Sequence, residues 1–263
     1  MQSQDVAVAD KVPLFETINV SKAFGVFRAL TDISFSVSEG EFVSIVGPNG
    51  AGKTTLVNVV TGSLRPSAGE VRFRDRDIAG ISPVELARLG MSRAFQLVNI
   101  FPALTVRETL AVAIASRLRR VFNPLRSLKR DSVLQADAER VAEVFGLRPR
   151  LDKLASTLSQ GEKKLLDIAS AFALNPAVIL LDEPTSGVST GDKLAIMEVL
   201  VAAAKAAGVL AIVQVEHDMD LVARYSHRIV ALQAGSLIAD MAPDAFFADP
   251  AMIAAVVGTR PKL

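Results

Sequence analysis

The octapeptide Gly47-Pro48-Asn49-Gly50-Ala51-Gly52-Lys53-Thr54 constrains this chain more than any other feature, because it fits the phosphate-loop pattern G-x-x-x-x-G-K-[ST]. The pattern has meaning only between a strand and a helix, and both are legible around it. Residues 41–46 read as a buried strand, short and apolar and bounded by glycines. Thr55-Leu56-Val57-Asn58-Val59-Val60 continues as a helix. Glycines at 47, 50 and 52 allow a tight bend that turns backbone N–H groups inward onto phosphate oxygens. The helix N-terminus adds partial positive charge at the same place. Lys53 is expected to reach the β- and γ-phosphates, the Thr54 hydroxyl to ligate Mg²⁺, and Thr55 to add a phosphate contact. Such a unit belongs in an α/β fold with a mostly parallel sheet.

A second feature supplies carboxylates. Ala177-Val178-Ile179-Leu180-Leu181 is an apolar run of the length of a central parallel strand, and it ends in Asp182-Glu183-Pro184. Charges at the carboxyl end of such a strand lie in the crevice where doubly wound sheets bind ligands. Asp182 is suited to hold Mg²⁺, through water, and Glu183 to polarise an attacking water.

Leu158-Ser159-Gln160-Gly161-Glu162 precedes that strand, separated from it by a helical stretch at 163–174. Taken alone it is a helix start, with Ser159 and free N–H groups available to an anion. With this pentapeptide the chain resembles the ATP-binding subunits of ABC transporters, whose signature reads L-S-G-G-Q. It departs from that signature at Gln160 and Glu162. It keeps Ser159 and Gly161, the pair that the resemblance assigns to the γ-phosphate. The resemblance covers about residues 14 to 240. It implies a P-loop ATPase core of mostly parallel sheet, an N-terminal antiparallel β-subdomain and a helical subdomain insert.

Roles carry over at the matching positions. Phe24 stands where the family stacks an aromatic on adenine, with Phe27 as a competing choice. Gln96, in Arg93-Ala94-Phe95-Gln96, matches the glutamine that senses Mg²⁺ and couples to the membrane subunit. His217, in Val215-Glu216-His217-Asp218-Met219, matches the switch histidine at the γ-phosphate. The implied nucleotide contacts are Phe24, residues 47–55, and Ser159, Gln160, Gly161 and Glu162. Thr54, Gln96 and Asp182 form the implied metal set, and Glu183, His217 and Gln96 the catalytic set. Two departures stand out: Ser189 replaces an aspartate that often crosses the dimer interface, and Ser170 replaces an arginine.

Composition limits the remaining classes. A net charge of +1 argues against a protein that mainly binds nucleic acid. With no cysteine there are no disulfides or thiolate metal sites, in agreement with a reducing cytosol. The most apolar stretch, 195–215, is interrupted by Glu198, Lys205, Gly208 and Gln214, and so falls short of the ~20 apolar residues of a membrane span. Residues 1–12 are polar and read as a loose tail, not a signal peptide. A basic run, Arg117, Arg119, Arg120, Arg126, Lys129 and Arg130, fits either a solvated loop or a surface facing lipid headgroups or a membrane subunit.

Along the chain, 14–35 reads as short antiparallel strands, joined by another at 69–77. Residues 82–90 form a helix with a Ser82-x-x-Glu85 capping box and Pro83 at its first position. Residues 98–156 are the helical subdomain, interrupted at Asn123-Pro124. The core comprises 14–97 and 157–240, with later strands at 178–181, 209–215 and 229–232 and a hairpin at Gly235. Residues 1–13 are a tail, and 241–263 carry no clear pattern or task.

The resemblance implies an ATP-hydrolysing subunit that uses ATP and Mg²⁺. It is expected to pair head to tail with the same or a homologous chain. Its other partners would be integral permease subunits and, indirectly, an extracytoplasmic binding protein, which places it at the cytoplasmic face of the inner membrane. The R-x-F-Q loop, the insert around 121–137 and the E-H-D-M stretch look most like the ATPases of branched-chain amino acid importers. Lipopolysaccharide-export and urea or amide transporters are rivals within the class. Outside it stand a soluble ABC-type ATPase acting on DNA or ribosomes and a regulator without turnover. The first lacks its usual coiled-coil insert or second ATPase domain here, and Glu183 argues against the second.

Overall fold

The computed structural model describes residues 13–94, 101–119 and 130–257. Gln96, the tail, the 123–124 interruption and Arg120, Arg126 and Lys129 lie outside the described residues.

The chain begins with two long paired strands, β1 (Phe15–Phe24) and β2 (Phe27–Val37), joined at Gly25. They are longer than the broken apolar pattern of 14–35 suggests. Register shifts at Thr17/Val20 and Val20/Lys22 keep the strands paired where alternation fails, as β-bulges do. With β4 (Ala68–Phe73) and β5 (Arg76–Asp77) they form an antiparallel sheet of order β2-β1-β4-β5.

The second sheet has the order β10-β9-β3-β8-β7-β6. Its strands are β3 (Phe42–Val46), β6 (Met91–Ala94), β7 (Val178–Asp182), β8 (Ala211–Val215), β9 (Arg228–Gln233) and β10 (Ser236–Met241). From β9 to β6 every pairing is parallel, and β10 returns antiparallel through a hairpin at Ala234-Gly235. Strands β3, β7 and β8 are buried at every position, which is why they read as largely apolar runs; within them the buried polar pair Ser44 and Gln214 is joined by a bond from Gln214 Nε2 to Ser44 Oγ.

Alternate side chains of these strands feed opposite faces. On one face Phe42, Ile179, Leu181 and Ile212 pack against α3 (Val106–Arg117), α4 (Ser132–Val144), α5 (Gln160–Phe172) and α6 (Thr190–Ala206). On the other, Val43, Ile45, Leu180 and Val213 meet α1 (Lys53–Val60) and the antiparallel sheet through Phe15, Leu30 and Ile33. Full burial of each large apolar side chain stabilises the fold by about 1.5–3 kcal/mol. Helix α2 (Pro83–Leu89) has the expected capping box, with Ser82 Oγ accepting from Glu85 N–H and the Glu85 carboxylate accepting from Ser82 N–H. A second box, Thr105/Glu108, starts α3.

The C-terminal segment, for which the sequence suggested no structure, forms two short helices after α7 (Met219–Tyr225): α8 (Pro243–Ala248) and α9 (Pro250–Val257). Each opens on a proline, suited to a first helical turn. Phe246 and Val256 pack with Val46, Ile229 and Ala231, so this segment supports the strand end that enters the phosphate loop. These helices are too short for a helical period to be visible in sequence. No helix among the described residues is long and apolar enough to cross a membrane.

Candidate active site

The site forms where β3, β7 and β8 end side by side, with Ile45 and Asp182 both in register with Val215. Three loops leave the sheet there, carrying the phosphate-loop glycines, Glu183 and His217.

The phosphate loop is held by its own backbone and by both sheets. Gly52, at φ 101°, caps α1 and has no side chain to bond to the first-turn N–H groups. A Cβ at Gly47 would lie 2.3 Å from the Leu232 carbonyl oxygen, and one at Gly52 would lie 2.7 Å from that of Ala29. The Ala51 carbonyl accepts from Gly235 N–H, tying the loop to the β9–β10 hairpin. The result is a glycine-lined cradle with uncapped N–H donors, suited to phosphate oxygens. Lys53 is buried and donates through Nζ to the Gly47 and Pro48 carbonyls at 2.7 and 3.0 Å. Burial pushes its ammonium below the usual lysine value, opposed by Glu183 and Asp182. Thr54 is exposed on the first turn of α1, Thr55 is half-buried, and Asn49 and Gly50 form the open rim beside Pro48.

Asp182, 2% exposed, ends β7 and is bound through Oδ2 to Arg93 Nη2 at 2.5 Å. Glu183 follows in the left-handed region at φ 51°, with its N–H on the Val215 carbonyl. That bend throws its side chain toward the end of β8, where Glu183 Oε1 lies 2.7 Å from His217 Nε2. Two residues 34 positions apart in sequence are thus brought into contact. Glu216, buried between them, accepts from the His217 and Asp218 N–H groups and from Thr185 Oγ1. It therefore fixes both loops.

The pentapeptide forms the start of α5. Ser159 Oγ accepts from Glu162 N–H, and Glu162 Oε2 accepts from Ser159 N–H at 2.9 Å. Arg150 Nε donates to Glu162 Oε1 at 2.6 Å and, with the Ser159 backbone bond, holds that carboxyl below its usual range. Glu162 is thus engaged as a cap, a role that replacing the signature glutamine by an acid suits well. Ser159 and Gln160 are exposed and Gly161 is half-buried, and Ser159 makes its bonds within its own turn, not to the phosphate loop. Phe24 sits 47% exposed at the β1–β2 turn under Lys22 Nζ, opposite the more exposed Phe27. Ser189 precedes α6 and donates to Asp192 Oδ2 at 2.7 Å. Ser170 back-bonds to the Leu166 carbonyl.

Sequence reasoning assigned no role to Arg93, Glu216 or Lys164. Lys164 is 2% exposed on α5, its ammonium lowered by burial and supported by Asp167, then Asp182 and Glu183. The one available signal was position: Arg93 and Glu216 adjoin quoted residues. Among the described residues no group of three or more His, Asp or Glu side chains could hold a metal alone. The donors present, the Thr54 hydroxyl and the Asp182 carboxylate, are hard oxygens. They suit a Mg²⁺ that takes its other ligands from phosphates and water.

Comparison with known proteins gives a concordant result. Residues 30–186 match the family model described as ABC transporter. The high-affinity branched-chain amino acid transport ATP-binding protein LivG of Salmonella typhimurium is 33% identical over 94% of this chain and 98% of its own length. A probable branched-chain amino acid transport ATP-binding protein LivG from Archaeoglobus fulgidus is 32% identical over 94% of this chain and 96% of its own. Among solved structures, a nucleotide-free ATP-binding cassette from an ABC transporter superposes with a TM-score of 0.79 at 31% identity, covering 92% of this chain and 97% of that one.

Proposed function

The chain belongs to the ABC transporter family as an ATP-hydrolysing, ATP-binding subunit, and from that premise we propose that it powers import of branched-chain or related amino acids. The observation that carries the substrate class is end-to-end similarity to relatives whose names specify that transport. The proposed assembly adds a second ATPase subunit, integral permeases at the cytoplasmic face of the inner membrane, and an extracytoplasmic binding protein. Within this chain the proposed division is a core (14–97, 157–240), a helical subdomain (98–156) and flanking segments (1–13, 241–263).

In this reading the phosphate cradle of residues 47–55 orients the ATP tail, and Lys53 leaves its two carbonyls for the β- and γ-phosphates. Phe24 supplies an exposed ring for adenine. Thr54, Asp182 and Gln96 would hold Mg²⁺, which when bound would neutralise charge developing on the phosphoryl oxygens. Glu183 draws a proton from the attacking water while His217, 2.7 Å away, fixes its carboxylate and faces the γ-phosphate. Ser159, Gln160 and Gly161 meet the nucleotide of the partner chain, with Glu162 holding their turn in shape. Loss of the γ-phosphate removes the bridge between chains, and the region near Gln96 passes that change to the permeases.

The test is uptake of labelled leucine, isoleucine and valine by cells lacking this chain. Wild-type chain is expected to restore uptake and Glu183→Gln is not. Unchanged uptake of all three without the chain refutes the substrate class.

A further inference from the structure

Arg93 and Asp182 form a buried ion pair at the carboxylate proposed to take the cation. Asp182 is 2% exposed, and the Arg93 side chain 9%. Arg93 Nη2 lies 2.5 Å from Asp182 Oδ2, while Nη1 donates to Asn58 Oδ1 at 2.7 Å and to Thr61 Oγ1 at 3.4 Å. One guanidinium thus fastens β6, the end of β7 and the end of α1 together. Thr61 is itself anchored, donating to the Val57 carbonyl at 2.6 Å. The fork therefore has a support on the α1 side, and through Nη2 it holds one oxygen of the Asp182 carboxylate.

We propose that Arg93 is a positioning residue that aims Asp182 and opposes the divalent cation for its carboxylate, so that it sets the cation affinity of the site. The inference rests on Asp182 being a cation ligand. A guanidinium and a divalent cation cannot both approach one buried carboxylate without repelling each other, and away from bulk water that repulsion is stronger. A neighbouring cation moves the proton affinity of a carboxylate by about 10- to 1,000-fold, and a divalent metal meets the same opposition. Arg93 thereby gives up affinity in exchange for a defined carboxylate orientation. A cation held less tightly also leaves more readily with the product.

The experiment is a Mn²⁺ titration, read by electron paramagnetic resonance, of the full-length chain saturated with ADP. Wild type, Arg93→Met, Arg93→Lys and Asp182→Asn are compared, with ATP turnover measured alongside. Arg93→Met is expected to bind Mn²⁺ at least about ten-fold more tightly while its kcat falls. Arg93→Lys, which keeps the charge, is expected to stay within about three-fold of wild-type Mn²⁺ affinity. If Arg93→Met does not fold, the neutral Arg93→Gln takes its place with the same expectation. A merely structural role for Arg93 predicts unchanged or weaker Mn²⁺ binding in the neutral variant, and that result overturns the proposal. If Asp182→Asn binds Mn²⁺ as wild type does, the assignment of Asp182 fails first and takes the proposal with it.

Discussion

Gly52→Ala and Gly50→Ala separate two contributions to the phosphate loop. Both glycines have positive φ, 101° and 80°, so each alanine incurs the left-handed penalty of about 1–2 kcal/mol. At Gly50 nothing lies within 4 Å of the added Cβ, and the penalty ends there. At Gly52 the Cβ falls 2.7 Å from the Ala29 carbonyl oxygen and 2.9 Å from Leu30 Cδ2. Leu30 can shift, but the Ala29 carbonyl belongs to paired strand β2 and cannot retreat alone. Strain of this kind adds about 1–3 kcal/mol, for a total of about 2–5. In a chain of this size Gly52→Ala is then expected to lower the melting temperature by roughly 4–20 °C and Gly50→Ala by roughly 2–8 °C. Because Gly52 caps α1, its shift also misaims the first-turn N–H groups, and ATP affinity should drop at least about ten-fold. Calorimetry and fluorescent-nucleotide titration read the two effects. Equal melting temperatures for the two variants would mean that the contact with the Ala29 carbonyl costs nothing, and undiminished ATP affinity in Gly52→Ala would mean that Gly52 does not aim the first-turn N–H groups.

Glu183→Gln preserves shape and a hydrogen-bonding partner for His217 but removes the basic carboxylate; phosphate release should slow about 10²–10⁴-fold with ATP binding retained, as single-turnover and binding assays would report. The Glu162 carboxyl is held below its usual value of 4.5 by Arg150 and the Ser159 backbone. Its cap therefore stabilises α5 fully above that value and loses this contribution as pH falls through the lower folded-state pKa; in Glu162→Gln the acid limb of the stability profile should shrink, and an identical limb counts against the pairing. Phe246, fully buried against Val46 and Ile229, should cost about 3–5 kcal/mol when truncated to alanine, read as a lower denaturation midpoint. Loss within about 0.5 kcal/mol would mean that the C-terminal helices do not support the core.

Much of this site is visible in sequence because its parts are local. The cradle depends on three glycines within six residues, between a strand and a helix, and the signature turn on a Ser159/Glu162 box three residues apart. Both reside in short-range geometry that a linear pattern encodes. What the pattern cannot encode is contact across the sheet. Arg93 reaches Asp182 only because β6 and β7 are neighbours, and His217 reaches Glu183 only because β8 ends beside β7. Glu216 reads as one more acid in a charged stretch until the fold buries it under Thr185. The long β1–β2 pair was obscured for a different reason. Its bulges interrupt the two-residue alternation by which strands are recognised.

The proposed function requires that this ATPase work on a membrane complex. The most direct measurement is affinity purification of the tagged Glu183→Gln chain with ATP from detergent-solubilised membranes, followed by identification of what accompanies it. Integral membrane permease subunits are expected, together with a second ABC ATPase subunit, the same chain or a homologue. Ribosomes, nucleic acid or no partner at all, from a chain that binds ATP tightly, would contradict it.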